Sequence, residues 1–196
     1  MSDPATLKHS IRRQVLAQRQ AASQDAEVDL VRAWSDRPTL GTVRCVGGYW
    51  PLGSELDPRP LMQHLHENGH ELALPCMQSD PHGLVFRRYQ PGDRLEQRRF
   101  GVHEPCKSAP VRHPDLVLVP LVAVSPAGHR LGYGKGYYDA TLSQARMKND
   151  IATIGVAWEM QIREDIPVER HDVPLDFVVT SQGKWLDCRA VRQGDA

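Results

Sequence analysis

Apolar residues recur at Leu7, Ile11, Val15 and Leu16, one stripe of a helix with Lys8, Arg12 and Arg19 beside it, and the pattern predicts an amphipathic helix over residues 5–22. Ser23, followed by Asp25 and Glu27, has the form of a cap and acidic first turn for a second helix that runs to Arg37 and stops at Pro38. The period then changes. Residues 42–50 form a strand candidate, Asp57 and Pro58 open a helix that Gly69 can end with a left-handed cap, and residues 71–75 read as the next strand. Strand, helix and strand with short joints make a βαβ unit with parallel pairing. Further apolar runs predict strands at 84–89, 116–124, 151–158 and 177–180. The expectation is an α/β fold, a single domain over residues 1–196 with a mostly parallel central sheet flanked by helices. Residues 90–114, with four prolines, two glycines and no sustained period, are expected to form a long surface connection, and the polar residues 189–196 to fray.

Composition narrows the function classes. Lys plus Arg equals Asp plus Glu at 24 each, so no global field draws the chain to nucleic acid or to an anionic membrane. No apolar run approaches the roughly 20 residues that cross a bilayer, and the polar N-terminal residues do not read as a signal, so a soluble cytoplasmic protein is expected. Cys45, Cys76, Cys106 and Cys188 are far apart and form no C-x-x-C pair, which argues for reduced thiols and against a structural zinc. His64, His66 and His70 do not share a helical face and are not expected to bind metal.

The chemistry concentrates in residues 130–139, RLGYGKGYYD. Gly132, Gly134 and Gly136 remove side chains where the backbone must turn sharply or lie against a ligand, so that N–H groups can face an anion. Lys135 adds a positive charge. With a strand before it and a helix-compatible segment after it, this loop is a candidate phosphate site at a helix start; a glycine-rich surface turn is the plain alternative. It is no Walker A loop, since Gly136 stands where Ser or Thr would follow the lysine. Lys8 and Arg12, at i and i+4, emerge on one side of the first helix and can clamp one phosphate, or can simply belong to a solvated face. Asp139 and Asp172 could be caps or ion-pair partners, Trp50 a core residue at a strand end, and Glu55 a loop charge.

Taken with the preceding PDLVLVPLVAV and the later HDVPLD at 171–176, RLGYGKGYYD resembles the 5-formyltetrahydrofolate cyclo-ligase family, also called methenyltetrahydrofolate synthetases, over residues 7–180. The resemblance implies an enzyme, a ligase that uses ATP and magnesium to cyclise 5-formyltetrahydrofolate to 5,10-methenyltetrahydrofolate with release of ADP and phosphate. It implies ATP contacts from Lys8, Arg12, Arg130, Leu131, Gly132, Tyr133, Gly134, Lys135, Gly136, Tyr137 and Tyr138, with Lys135 and Arg130 neutralising phosphate charge in catalysis. The reduced folate is assigned to Trp50, Glu55, Tyr133 and Tyr137, and magnesium to Asp139 and Asp172. A small-molecule substrate, no nucleic acid, no membrane, and a monomer or weak homo-oligomer are expected. One departure stands out: where many members of the family read Ala-Phe-Asp, this chain reads Ala123-Val124-Ser125. If the family's aspartate orients the loop, Ser125 can still bond backbone N–H groups as a turn residue; if it acts directly on substrate or metal, the alternative is a non-catalytic folate- or nucleotide-binding protein on the same fold.

Overall fold

A computed structural model describes residues 3–22, 29–78, 83–98, 101–148 and 150–194. Its centre is an eight-stranded sheet. In chain order its strands are β1 (Cys45–Gly47), β2 (Glu71–Met77), β3 (Leu84–Tyr89), β6 (Val111–Arg112), β7 (Leu116–Val119), β10 (Ala152–Ala157), β11 (Phe177–Thr180) and β12 (Trp185–Asp187). The spatial order is β12-β11-β10-β7-β1-β2-β3-β6. The five middle strands run parallel; β12 pairs antiparallel at one side, and at the other β3 pairs antiparallel with both β2 and β6. Val46 stands opposite Leu72 on one neighbour and Leu116 on the other, which sets the register at the middle of the sheet.

A parallel strand covered on both faces must be apolar at every position, and LVLV at 116–119 meets that demand. Leu116 and Leu118 join one buried cluster with Leu61, Met62 and Leu65 of α3 (Arg59–Glu67) and Leu30 and Trp34 of α2 (Leu30–Ser35). Val117 and Val119 face the other way, toward Leu142 of α4 (Tyr137–Lys148) and Cys188 of α5 (Cys188–Gly194). The two-residue side-chain period of a strand thus divides the core into two layers, one on each side of the sheet.

α1 (Pro4–Ala22) buries Ile11 and Val15 against Val122, Ala123, Leu131 and Ile166, so its predicted apolar stripe seats it over the segment that leads into the glycine motif. The βαβ unit and the end of its helix follow the expected pattern: β1 and β2 are parallel, and Gly69 takes a φ of 88°.

Several boundaries differ from the expectations. The run 116–124 is two strands. β7 ends before Pro120, and Ala123–Val124 (β8) pairs antiparallel with Arg130–Leu131 (β9) in a hairpin of its own, so β9, not the apolar run, enters the glycine motif. The first strand is shorter than 42–50. The described part of the second helix starts at Leu30, where the Asp29 carboxylate accepts the Arg32 N–H at 2.8 Å; Ser23, Asp25 and Glu27 lie outside the described residues. Segment 90–114 is no plain surface excursion: besides β6 it carries β4 (Glu96–Gln97) paired with β5 (His103–Glu104), and Glu104 is buried. The end of the chain does not fray over 189–194. Asp187 accepts the Arg189 and Ala190 N–H groups and Arg189 lies over the Phe177 ring, which holds α5 on the sheet.

Candidate active site

The carboxyl ends of β1, β2 and β7 open into a cavity of about 870 Å3, the usual crevice of a parallel α/β sheet. Glycines at the end of β1 let the wall close up. A side chain on Gly48 would place its Cβ 2.4 Å from the Met62 sulfur, so glycine there leaves room for the Met62 side chain of α3 against the turn that presents Trp50.

One end of the cavity is the glycine loop. Gly134 and Gly136 adopt φ values of 89° and 69°, the left-handed region that favours glycine, and α4 starts directly afterwards. Gly132 uses its carbonyl, which accepts the Arg12 Nε–H at 2.8 Å. Arg130 is deeply buried and donates to Asp139 Oδ1 at 2.8 Å and to the Val173 carbonyl, while the Val173 N–H donates to the same Asp139 oxygen at 3.1 Å. These bonds fasten the glycine motif to the HDVPLD segment and bring Asp139 next to the peptide that follows Asp172. Burial lowers the Arg130 affinity for its proton, and the Asp139 charge opposes that shift.

Lys8 reaches the same corner, with Nζ 2.9 Å from Glu169 and 3.7 Å from Asp172. Asp172 also accepts the Glu169 N–H at 2.8 Å, and Glu169, His171 and Asp172 can bring ligand atoms within 4.8 Å of one another. Lys8 and Arg12 therefore have different partners here: one stands beside carboxylates, the other braces a loop carbonyl.

The opposite end is aromatic and largely desolvated. The Trp50 ring lies 5.7 Å from His103 and 6.3 Å from Tyr89, and the Arg59 guanidinium sits 4.8 Å above it. Glu55 is only 8% accessible. It accepts the Leu52 N–H at 2.8 Å, yet burial raises its pKa above the ordinary carboxylate value; that bond, the Arg19 charge and a hydrogen bond from Tyr133 only partly offset the burial. Burial, with Glu55 nearby, likewise pushes up the phenols of Tyr49 and Tyr138.

Every residue that the sequence nominated lines this one cavity: Lys8, Arg12, Trp50, Glu55, the run Arg130 to Asp139, and Asp172. Arg19, Tyr49, His103, Glu104, Glu169 and His171 line it too and were not nominated. Arg19 had a signal, since it continues the Lys8–Arg12 stripe two turns on; His103 had none, being brought to Trp50 by the β4–β5 pairing. At Ser125 the hydroxyl accepts the His129 N–H at 3.1 Å and the carbonyl accepts the Gly128 N–H at 2.9 Å, so the serine closes the β8–β9 turn, as expected for a turn residue. Such an arrangement can take a phosphorylated group at the glycine end and a flat hydrogen-bonding ring at the Trp50 end, and exclude water between them.

Comparison with known proteins agrees with this geometry. The 5-formyltetrahydrofolate cyclo-ligase from Escherichia coli is 34% identical over 153 residues, covering 76% of this chain and 84% of its own. The enzyme of that name from Mycolicibacterium smegmatis is 33% identical over 167 residues, covering 81% and 84%. Among solved structures, 5,10-methenyltetrahydrofolate synthetase from Aquifex aeolicus matches with a TM-score of 0.73 and 29% identity, over 93% of each chain. A model of the 5-formyltetrahydrofolate cyclo-ligase family matches residues 5–181, and with it the chain belongs to that family.

Proposed function

We propose that this protein is an ATP-dependent ligase that closes 5-formyltetrahydrofolate to 5,10-methenyltetrahydrofolate, with ADP and phosphate as the other products. The observation that carries the reading is the meeting, in one cavity, of a left-handed glycine loop at a helix start with a buried carboxylate and an indole. The loop end suits the triphosphate, with Lys135, Lys8 and Arg12 supplying positive charge and the start of α4 supplying N–H groups. The other end suits a pterin: Trp50 offers a stacking face, and Glu55, kept from water by the fold, gains from the ring N–H and amino donors what burial took away.

The reaction follows from that placement. The formyl oxygen on the ring nitrogen attacks the γ-phosphorus, an O–P bond forms, and the bond from that phosphorus to the leaving ADP oxygen breaks. The oxygen of an amide-like formyl group is a poor leaving group; as a phosphate ester it is a good one. The nitrogen at position 10 then attacks the activated carbon, loses its proton, and expels phosphate. No covalent protein nucleophile is needed. The protein's share is positioning and charge, which is the main demand of phosphoryl transfer.

Magnesium would accompany the nucleotide. Asp139 and Asp172 fit it: both are hard oxygen donors, and the Asp139–Val173 hydrogen bond sets one carboxylate beside the backbone of the other. The ion would screen phosphate charge there. We also read the chain as one domain, since its sheet draws strands from Cys45 through Asp187. Among the described residues no helix is long and apolar enough to cross a membrane.

The decisive experiment is the ATP- and magnesium-dependent appearance of methenyltetrahydrofolate absorbance from 5-formyltetrahydrofolate. Binding of both ligands without conversion would favour a non-catalytic binder. The intact Ser125 turn supports the enzyme, because the departure from the family removes a carboxylate and not the loop.

A further inference from the structure

Arg19 is 2% accessible, and among the described residues its hydrogen-bond partners are neutral: Ser54 Oγ at 3.0 Å, the Leu121 carbonyl at 3.3 Å and the Tyr133 hydroxyl at 2.7 Å. A buried guanidinium is costly to desolvate, and here its three neutral acceptors and the nearby Glu55 charge offset that cost. What distinguishes an arginine is its planar fork, which can hold several groups at fixed angles.

The three groups it holds belong to separate segments, two of which line the cavity. Ser54 precedes Glu55 in the loop at the Trp50 end. Tyr133 stands between Gly132 and Gly134 in the glycine loop, its ring 48% accessible and its hydroxyl fixed by Arg19. Leu121 follows β7 and is buried, and its carbonyl ties the guanidinium to the end of that strand. The Tyr133 hydroxyl also stands close enough to Glu55 to ease the burial of its charge. A single side chain of α1 thus ties the loop that would meet phosphates to the loop that would meet the pterin.

We propose that Arg19 is a positioning residue that couples the two substrates: through its bonds to Ser54 and Tyr133, filling the glycine-loop end orders the Glu55 loop, and filling the Glu55 end orders the glycine loop. This rests on the function proposed above. Coupling between sites is reciprocal, so each ligand must tighten the other by the same factor. Whichever ligand binds first, the second would then be bound more tightly than it would be alone.

The test is the affinity for 5-formyltetrahydrofolate with and without a saturating non-hydrolysable ATP analogue and magnesium, and the affinity for the analogue with and without the folate. In the wild type each should tighten by the same factor, about fivefold or more. Arg19→Met and Tyr133→Phe should each bring the factor to near one, and the double variant should show no further loss, because both remove the same link. Arg19→Lys should retain part of it, having the charge without the fork. Thermal unfolding run alongside shows whether Arg19→Met is folded; if it is not, Tyr133→Phe, which removes only a hydroxyl, decides the matter. A wild-type factor of one, or folded variants that keep the wild-type factor, overturns the coupling while leaving the enzyme reading intact. A wild type that binds neither ligand overturns both.

Discussion

At the glycine-loop end of the cavity every cation with a described bond already has a protein partner: Lys8 has Glu169, Arg130 has Asp139, and Arg12 has the Gly132 carbonyl. The Trp50 end is the reverse, with tilted and edge-on rings and a carboxylate whose charge the surroundings only partly support. A ligand arriving at the first end must exchange partners with groups that are already satisfied. At the second it completes a site whose dehydration the fold has carried out. Charge substitutions should therefore cost stability at the buried Arg130–Asp139 pair and cost ligand affinity, not stability, at Glu55.

The largest effect is expected where an ion pair is both buried and structural. Arg130→Ala removes the partner of Asp139 and leaves the Val173 carbonyl without its donor. Breaking a buried pair from one side costs about 3 kcal/mol, and partial exposure of Asp139 keeps the expected loss near that figure rather than above it. Chemical denaturation measures it. A loss below about 1 kcal/mol, the range of surface pairs, would mean that the two segments are held together by something else.

Glu55→Gln should do the opposite at the other end. Its folded pKa lies above the ordinary value, so the fold favours the protonated acid and disfavours the carboxylate. Wild-type stability therefore falls as pH rises from the ordinary carboxylate value to the raised one, and is level beyond it. Glutamine has no such dependence. The variant should melt above the wild type at pH 8 and draw level with it at pH 4, while its kcat/KM for the folate drops about 100-fold, the worth of a hydrogen bond to a charged group. A variant that melts lower at pH 8 would show that the carboxylate supports the fold rather than the ligand.

The two ends also differ in how far they could be read from sequence. The glycine loop lies in ten consecutive residues, and the left-handed turns at Gly134 and Gly136 are conformations that glycine spacing announces. Arg19 lies 114 positions from Tyr133 and His103 is carried to Trp50 by a two-residue strand pair, so neither contact leaves a local pattern. The fold shows a similar split. The run 116–119 is apolar at every position because both faces are covered, and this was legible; the break at Pro120 was not, because apolar residues continue past it to pair with 130–131 in a hairpin of only two residues a strand. The last helix was missed because its polar residues outweighed its cap, Asp187, and its anchor, the Phe177 ring beneath Arg189.

Lys8→Met sharpens the comparison within the glycine-loop end. Its carboxylate partner Glu169 is 43% accessible, so losing the pair should alter stability by less than about 1 kcal/mol. If the lysine exchanges Glu169 for phosphate on binding, the KM for ATP should rise about tenfold, the worth of roughly 1.4 kcal/mol, with the KM for the folate unchanged to within about twofold. An equal rise for both ligands would place Lys8 in the coupling between the ends rather than at the phosphates.

The smallest effect concerns the connection that carries His103 to the Trp50 end. Burial pushes the thiols of Cys45 and Cys188 up to about 11 and that of Cys76 to about 12, so at pH 8 only about a thousandth or less of each is thiolate. Cys106 is exposed and its pKa is lowered, chiefly by the hydrogen bond with the Ser108 hydroxyl at 3.2 Å. Iodoacetamide at pH 8 should modify one thiol of the native protein rapidly and the others only as the fold opens, with Cys106→Ser abolishing the fast phase. The modified protein should keep its KM for ATP and change its KM for the folate by no more than about twofold, since a small adduct on an exposed side chain leaves the contacts of the β4–β5 pair in place. Mass spectrometry of the fast-labelled species locates the adduct. A second fast thiol at Cys76 would show that β2 opens beside the β4–β5 pair in the native state, and that the Trp50 end is less preformed than its ring contacts imply.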